Sequence, residues 1–114
     1  MTVAQIADRL NMKIVAGESN KEREIKGVYI CDLLSWVMSH ANDDDLWITV
    51  LTNLNTVAVA MLANVACVVI PEDIEVEEET INKANEEGVV MLRSELPSFD
   101  ICIKTYELLK NGGI

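Results

Sequence analysis

The stretch Leu46-Trp-Ile-Thr-Val-Leu-Thr-Asn-Leu-Asn-Thr-Val-Ala-Val-Ala-Met-Leu-Ala-Asn-Val-Ala-Cys-Val-Val-Ile70 contains no charged residue. Its own punctuation divides it. Leu46 to Val50 is apolar apart from Thr49 and reads as a strand. Thr52 and Asn53 are polar and lead into a helix from about Asn55 to Asn64. Val57 to Ala63 are apolar all round, so this helix is expected to be buried on more than one side. Val65 to Ile70 is a β-rich apolar run ended by Pro71, the pattern of a strand covered on both faces. Strand, helix and buried strand make a βαβ unit, which implies parallel pairing and a right-handed crossover. A membrane span is the rival reading. Thr49, Thr52, Asn53, Asn55, Thr56 and Asn64 interrupt the stretch, and no apolar run approaches the roughly 20 residues a span requires.

The same alternation extends outward on both sides. Residues 2–11 read as a helix: Thr2 and Gln5 have capping-box spacing, and Val3, Ile6, Ala7 and Leu10 form one apolar stripe. Lys13 to Ala16 reads as a short strand, Gly17 to Glu24 as a polar loop, and Ile25 to Cys31 as a second strand. Asp32 is expected to cap a helix running to about His40, with Leu33, Leu34, Val37 and Met38 facing inward. Ala41 to Asp45 is a turn. Beyond Pro71, Glu77, Glu78 and Glu79 suit the first turn of a helix that Gly88 terminates, and Val89 to Leu92 is a strand. Pro97-Ser98 opens a last helix with Phe99, Cys102, Ile103, Tyr106 and Leu109 on its inner stripe, ended by Asn111-Gly112-Gly113. The order is α-β-β-α-β-α-β-α-β-α. The expected fold class is α/β, one three-layer-like domain over residues 1–114 with a mostly parallel sheet.

Composition narrows the function. The chain has 114 residues, enough for one domain, half of them apolar, and a formal net charge of −10. Nine basic residues among nineteen acidic ones speak against phosphate neutralisation, and so against nucleic-acid partners and anionic membranes. Residues 1–15 read as amphipathic rather than as a signal peptide. The cysteines Cys31, Cys67 and Cys102 lie in apolar runs with no metal or redox spacing. They are expected in the core of a cytoplasmic protein.

The search for chemistry returns little. No phosphate-binding or dinucleotide-binding glycine motif is present. His40 is the only histidine and belongs near the end of its helix, in a surface or capping role. The cluster Asn42-Asp43-Asp44-Asp45 lacks the glycine and distal glutamate of a calcium loop and reads as a solvated turn. No nucleophile sits beside a base. The expectation is no catalytic residue, no metal and no cofactor. In open α/β sheets, ligands bind outside the carboxyl ends of the parallel strands. The polar residues there are Asp32, Thr49, Thr52, Asn53, Asn55, Arg93 and Ser94, which makes them the candidate ligand-binding set. Helix capping is the competing role for the same residue types.

The phrases Gly27-Val-Tyr-Ile-Cys-Asp-Leu-Leu-Ser-Trp-Val-Met38, Leu46-Trp-Ile-Thr-Val50, Asn55-Thr-Val-Ala-Val-Ala60, Ala66-Cys-Val-Val-Ile-Pro71 and Ala84-Asn-Glu-Glu-Gly-Val-Val-Met-Leu92 resemble, in this order, the DRTGG domain family. The resemblance covers about residues 1–112. It implies a small α/β regulatory domain like that beside CBS domains in some inorganic pyrophosphatases. It is similar also to the N-terminal domain of HPr kinase/phosphorylase, and standalone members are known. The Asp-Arg-Thr-Gly-Gly string itself is absent, as is the phosphate-binding loop of that kinase, so a kinase activity does not transfer. The implied function is a regulatory or ligand-sensing module, a homodimer that binds a nucleotide or small metabolite. The alternative is a protein-interaction or scaffold module of a redox system, since some members are encoded near iron-hydrogenase genes.

Overall fold

The computed structural model describes residues 1–112. Eleven short elements follow the expected alternation. They are α1 (Val3–Arg9), β1 (Lys13–Ala16), a 3-10 turn (Glu18–Asn20), β2 (Gly27–Ile30), α2 (Leu34–His40), β3 (Asp45–Ile48), α3 (Leu54–Ala63), β4 (Cys67–Ile70), α4 (Glu78–Glu87), β5 (Met91–Arg93) and α5 (Ser98–Lys110). The sheet order is β1-β5-β4-β3-β2. β2, β3, β4 and β5 are mutually parallel, and β1 closes the far edge antiparallel to β5.

From β2 to β5 each crossover moves one strand in the same direction. Right-handed crossovers of that kind place every connecting helix on one face. Residues of α2, α3 and α4 accordingly share one core cluster with Trp47, Val68, Ile70 and Met91. α1 and α5 cover the other face, where Val3, Ile6 and Ile101 meet Leu46, Ile48, Cys67, Val69 and Leu92. The strand period of two sends Leu46 and Ile48 to one face and Trp47 to the other. β3 and β4 are buried on both sides, as their continuous apolar runs require.

Local signals explain the element ends. The Thr2 side chain accepts from the Gln5 backbone N–H, and the Gln5 side chain returns the bond to Thr2. Asn53 caps α3, and Gly88 ends α4 in the left-handed region. Gly17, at φ 72°, lies against the Val89 carbonyl, where any Cβ would overlap that oxygen.

Four expectations need correction. Asp32 is not the cap of α2: Leu33 holds that position without a side-chain bond, because Asp32 is drawn to the end of β3. Leu33 and Met38 face outward, and only Val37 of that helix is fully buried. α3 is buried along Thr56, Val57, Val59, Ala60 and Ala63 but leaves Met61 and Leu62 open. On α5 the inner residues are Ile101 and Thr105, while Phe99, Ile103 and Tyr106 lie outside at 70%, 40% and 59% exposure. The three cysteines are free; Cys67 is in the core, and Cys31 and Cys102 are half-buried. Burial pushes the Cys67 thiol far up, so it stays protonated. Gly113, read as part of the last helix's end, lies outside the described residues.

Candidate functional site

The polar residues that follow the strands divide into two groups. The first lies at the ends of β2 and β3. Asp32 Oδ1 accepts from Thr49 Oγ1 at 2.8 Å and from the Val50 backbone N–H at 3.0 Å. Thr49 is 1% exposed, and its hydroxyl also accepts from the Leu51 N–H at 3.3 Å. Asp32 thus latches the loop after β2 to the loop after β3. Thr52 Oγ1 lies 3.5 Å from Glu77 Oε1. Asn53 Oδ1 accepts from the Asn55 N–H at 3.0 Å, so Asn53 acts as a helix cap and Asn55 contributes its backbone. The Thr56 hydroxyl donates to the Leu51 carbonyl at 3.0 Å. These groups largely satisfy one another.

The second group lies at the end of β5, two strand spacings from β3 and three from β2, or about 9–14 Å. Arg93 Nη2 donates to the Asp73 carbonyl at 2.7 Å. Arg93 Nε is 3.3 Å from Asp73 Oδ1, an ion-pair distance whose angle makes no hydrogen bond, and this buried nitrogen has no other partner. Ser94 is buried and accepts from the Leu96 N–H at 3.1 Å. The Asp32 group and the Arg93 group therefore do not share a site. A cleft of about 190 Å³ opens beside Arg93, lined also by Asn11, Lys13, Asp73 and Glu95. Lys13 and Asp73 escaped the sequence reading because the β1–β5 register that brings Lys13 to Arg93 joins segments about eighty positions apart.

The remaining candidates are engaged internally or exposed. Asp44 pairs with Arg23 and Lys26, and Arg23 Nη2 donates to the Asn64 carbonyl at 2.6 Å. The Arg23 hydrogen bond holds the Asp44 carboxyl below the usual range. Asp45 accepts from the Asn42 N–H at 2.8 Å, yet its burial pushes its carboxyl up. His40 stacks on Trp36 with ring centroids 3.8 Å apart. Among the described residues, no group of three His, Cys, Asp or Glu is placed to hold a metal, and no helix is long and apolar enough to cross a membrane.

Several exposed apolar residues belong to the segments at these strand ends. Ile30 ends β2, Leu33 and Val50 lie in the loops after β2 and β3, Leu54 begins α3, and all four are exposed, Leu33 at 61%. Trp36, one turn along α2, is 51% exposed.

The model of the DRTGG domain family matches residues 5–106. The chain belongs to the DRTGG domain family. Its fold is similar to the crystal structure of the CBS and DRTGG domains of the regulatory region of Clostridium perfringens pyrophosphatase, complexed with the activator diadenosine tetraphosphate. The TM-score is 0.70 at 16% identity, over 88% of this chain and 44% of that one. This DRTGG chain thus spans less than half of that structure, and at such identity the likeness is one of fold. No match is found among curated proteins.

Proposed function

We propose that this DRTGG chain is a non-catalytic regulatory module that works as a homodimer and senses a small ligand at the carboxyl edge of its sheet. The observation that carries the reading is the apolar rim of Ile30, Leu33, Trp36, Val50 and Leu54. Large apolar side chains gathered around one end of a domain mark an interaction surface. Here the Asp32 latch holds the two loops that carry Leu33 and Val50. A two-fold contact sets such a rim against its own copy, so each apolar residue is buried twice. The polar groups beside this rim are already bonded to one another, which favours a regulatory role over a catalytic one there.

Sedimentation equilibrium of the wild type and Leu33→Glu tests the association. Leu33 is exposed, so the substitution leaves the fold intact and brings two carboxylates into the contact. The expected outcome is a wild-type dimer and at least hundredfold weaker association for the variant. A monomeric wild type at high concentration, or an unchanged variant, would refute it. The ligand half is tested by a thermal-shift screen, in which saturating ligand raises the melting temperature. The similar pyrophosphatase regulatory region is complexed with a nucleotide activator, so nucleotides belong in that screen beside small metabolites. The alternative of a scaffold in an iron-hydrogenase system has no supporting observation in the fold or in the relatives.

A further inference from the structure

We propose that the cleft between the start of β1 and the end of β5 binds a small zwitterion of the amino-acid class, its carboxylate between Lys13 and Arg93 and its ammonium toward Asp73 and Glu95. This deepens the ligand-sensing half of the reading above and is independent of the dimer half. Lys13 and Arg93 are direct partners in the antiparallel β1–β5 ladder. Directly opposed residues share a face of the sheet with Cα atoms about 5 Å apart, and like charges in that position destabilise a strand pair. Two cations meet here in a chain of net charge −10, and both line the same cleft. Lys13 has no ion pair among the described residues. Arg93 spends one nitrogen on the Asp73 carbonyl, and its buried Nε lies 3.3 Å from Asp73 Oδ1 without a hydrogen bond. An anionic group between the two cations relieves their repulsion.

The cleft also carries the opposite sign, with Asp73 Oδ1 3.3 Å from Arg93 Nε. Asp73 and Glu95 are exposed, and the five lining residues balance at two cations and two carboxylates with the Asn11 amide. A bare anion meets repulsion from these carboxylates, and a zwitterion engages charges of both signs. Size points the same way. The cleft of about 190 Å³ is below the ~300–1,000 Å³ of pockets that enclose nucleotide-sized ligands. Its walls are also conformationally costly. Asn11 has φ 54°, and Glu72 and Asp73 are consecutive residues at φ 57° and 56°. Such strained backbone is found where a ligand is clamped.

The test is a titration of the full-length isotopically labelled chain, followed by backbone amide resonances, with L-alanine, L-serine and L-glutamate. Sodium acetate, inorganic phosphate and ethanolamine are the single-charge controls. The expected result is saturable shifts confined to residues 11–13, 72–74 and 93–95, at least tenfold tighter for an amino acid than for any control. Lys13→Ala, an exposed position, is expected to weaken binding at least tenfold while the melting temperature of the free protein does not fall. Arg93→Lys, which keeps the charge and loses the planar fork, is expected to weaken it as well. Absence of saturable shifts, shifts elsewhere, acetate or phosphate binding as tightly, or an unaffected Lys13→Ala would overturn the proposal. Sedimentation of the same samples separates the two readings. A silent cleft with an intact dimer removes the zwitterion site alone, and a bound amino acid on a monomer removes the dimer alone.

Discussion

A double-substitution cycle at Asp32 and Thr49 tests the latch that organises the carboxyl edge. Asp32→Ala removes two hydrogen bonds to a carboxylate, at 2.8 and 3.0 Å. Bonds to charged groups contribute about 1.5–3 kcal/mol when buried. Asp32 is exposed, so about 1 kcal/mol each is the fitting figure, or about 2 kcal/mol in all. Thr49→Val removes the donor to Asp32 and the acceptor for the Leu51 N–H, which costs about 1–2 kcal/mol because Thr49 is buried. The bond common to both substitutions leaves a coupling of about 1 kcal/mol in the cycle. For a domain of this size each 1 kcal/mol moves the midpoint by about 4 °C. Urea unfolding followed by circular dichroism, at one fixed protein concentration so that self-association stays constant, gives the four free energies. An Asp32 that capped α2 would also cost about 1 kcal/mol on truncation, but independently of Thr49. Additivity within about 0.3 kcal/mol therefore refutes the Asp32–Thr49 bond of the latch.

Three further outcomes follow from single residues. Thr80 and Thr105 are fully buried and their hydroxyls have no hydrogen-bond partner. Thr80→Val and Thr105→Val remove an uncompensated polar group at nearly constant volume and are each expected to stabilise by about 1 kcal/mol. A loss of stability on thermal unfolding would mean the hydroxyls are bonded after all. Asp45 has its carboxyl pushed up by burial, to which the Asp44 charge adds and which the Asn42 N–H opposes. Native Asp45 then holds its proton more tightly than the unfolded chain does, so its contribution to stability falls as pH rises from the ordinary carboxylate value through the raised native one. Asp44, lowered chiefly by its Arg23 bond, works the other way and loses its contribution as pH falls through its native value. Asp45→Asn keeps the acceptor for Asn42 and is expected to remove the decline and raise stability near neutrality. Unfolding curves from about pH 3 to about pH 7 check it, and an unchanged slope above the ordinary carboxylate value counts against it. Gly17→Ala puts a Cβ into the Val89 carbonyl at a left-handed φ. It is expected to consume several of the roughly 5–15 kcal/mol that hold such a domain folded, and a wild-type melting temperature would disprove the overlap.

The fold was legible wherever a local signal and a buried pattern agreed. The Thr2–Gln5 capping box, the bounds of β1 and the Leu46 to Ile70 strand-helix-strand unit all appear as read. The misreadings share one cause. On α5 two stripes run at helical spacing: Phe99, Ile103 and Tyr106 form one, and Ile101, Thr105 and Leu108 the other. The second meets the sheet and carries a threonine at its centre, and of the expected stripe Cys102 and Leu109 also pack on the core, so hydrophobic periodicity placed only Phe99, Ile103 and Tyr106 on the wrong face. Leu33 and Met38 on α2 went the same way. Apolar spacing reports that a face avoids water, and a domain's own core and a surface for another molecule satisfy it equally.

The dispersal of the candidate site follows from the winding of the sheet. A strand-end crevice needs a switch point, where neighbouring crossovers leave toward opposite faces and their loops part. From β2 to β4 this sheet has none, since α2, α3 and α4, which follow those strands, all lie on one face. Loops that leave adjacent strands in one direction run side by side, and polar residues on them meet each other before they meet solvent. That is why Asp32 finds Thr49 and Val50, and why Asn53 turns back onto α3. The direction of pairing changes at one place only, where antiparallel β1 joins β5. There the loop before β1 and the loops after β4 and β5 come from different parts of the chain, Asn11 and Lys13 face Asp73, Arg93 and Glu95, and a cleft remains. The two ends of one edge thus acquire opposite characters from topology alone. The parallel end is latched shut and rimmed with apolar side chains. The antiparallel end stays open, with charges of both signs.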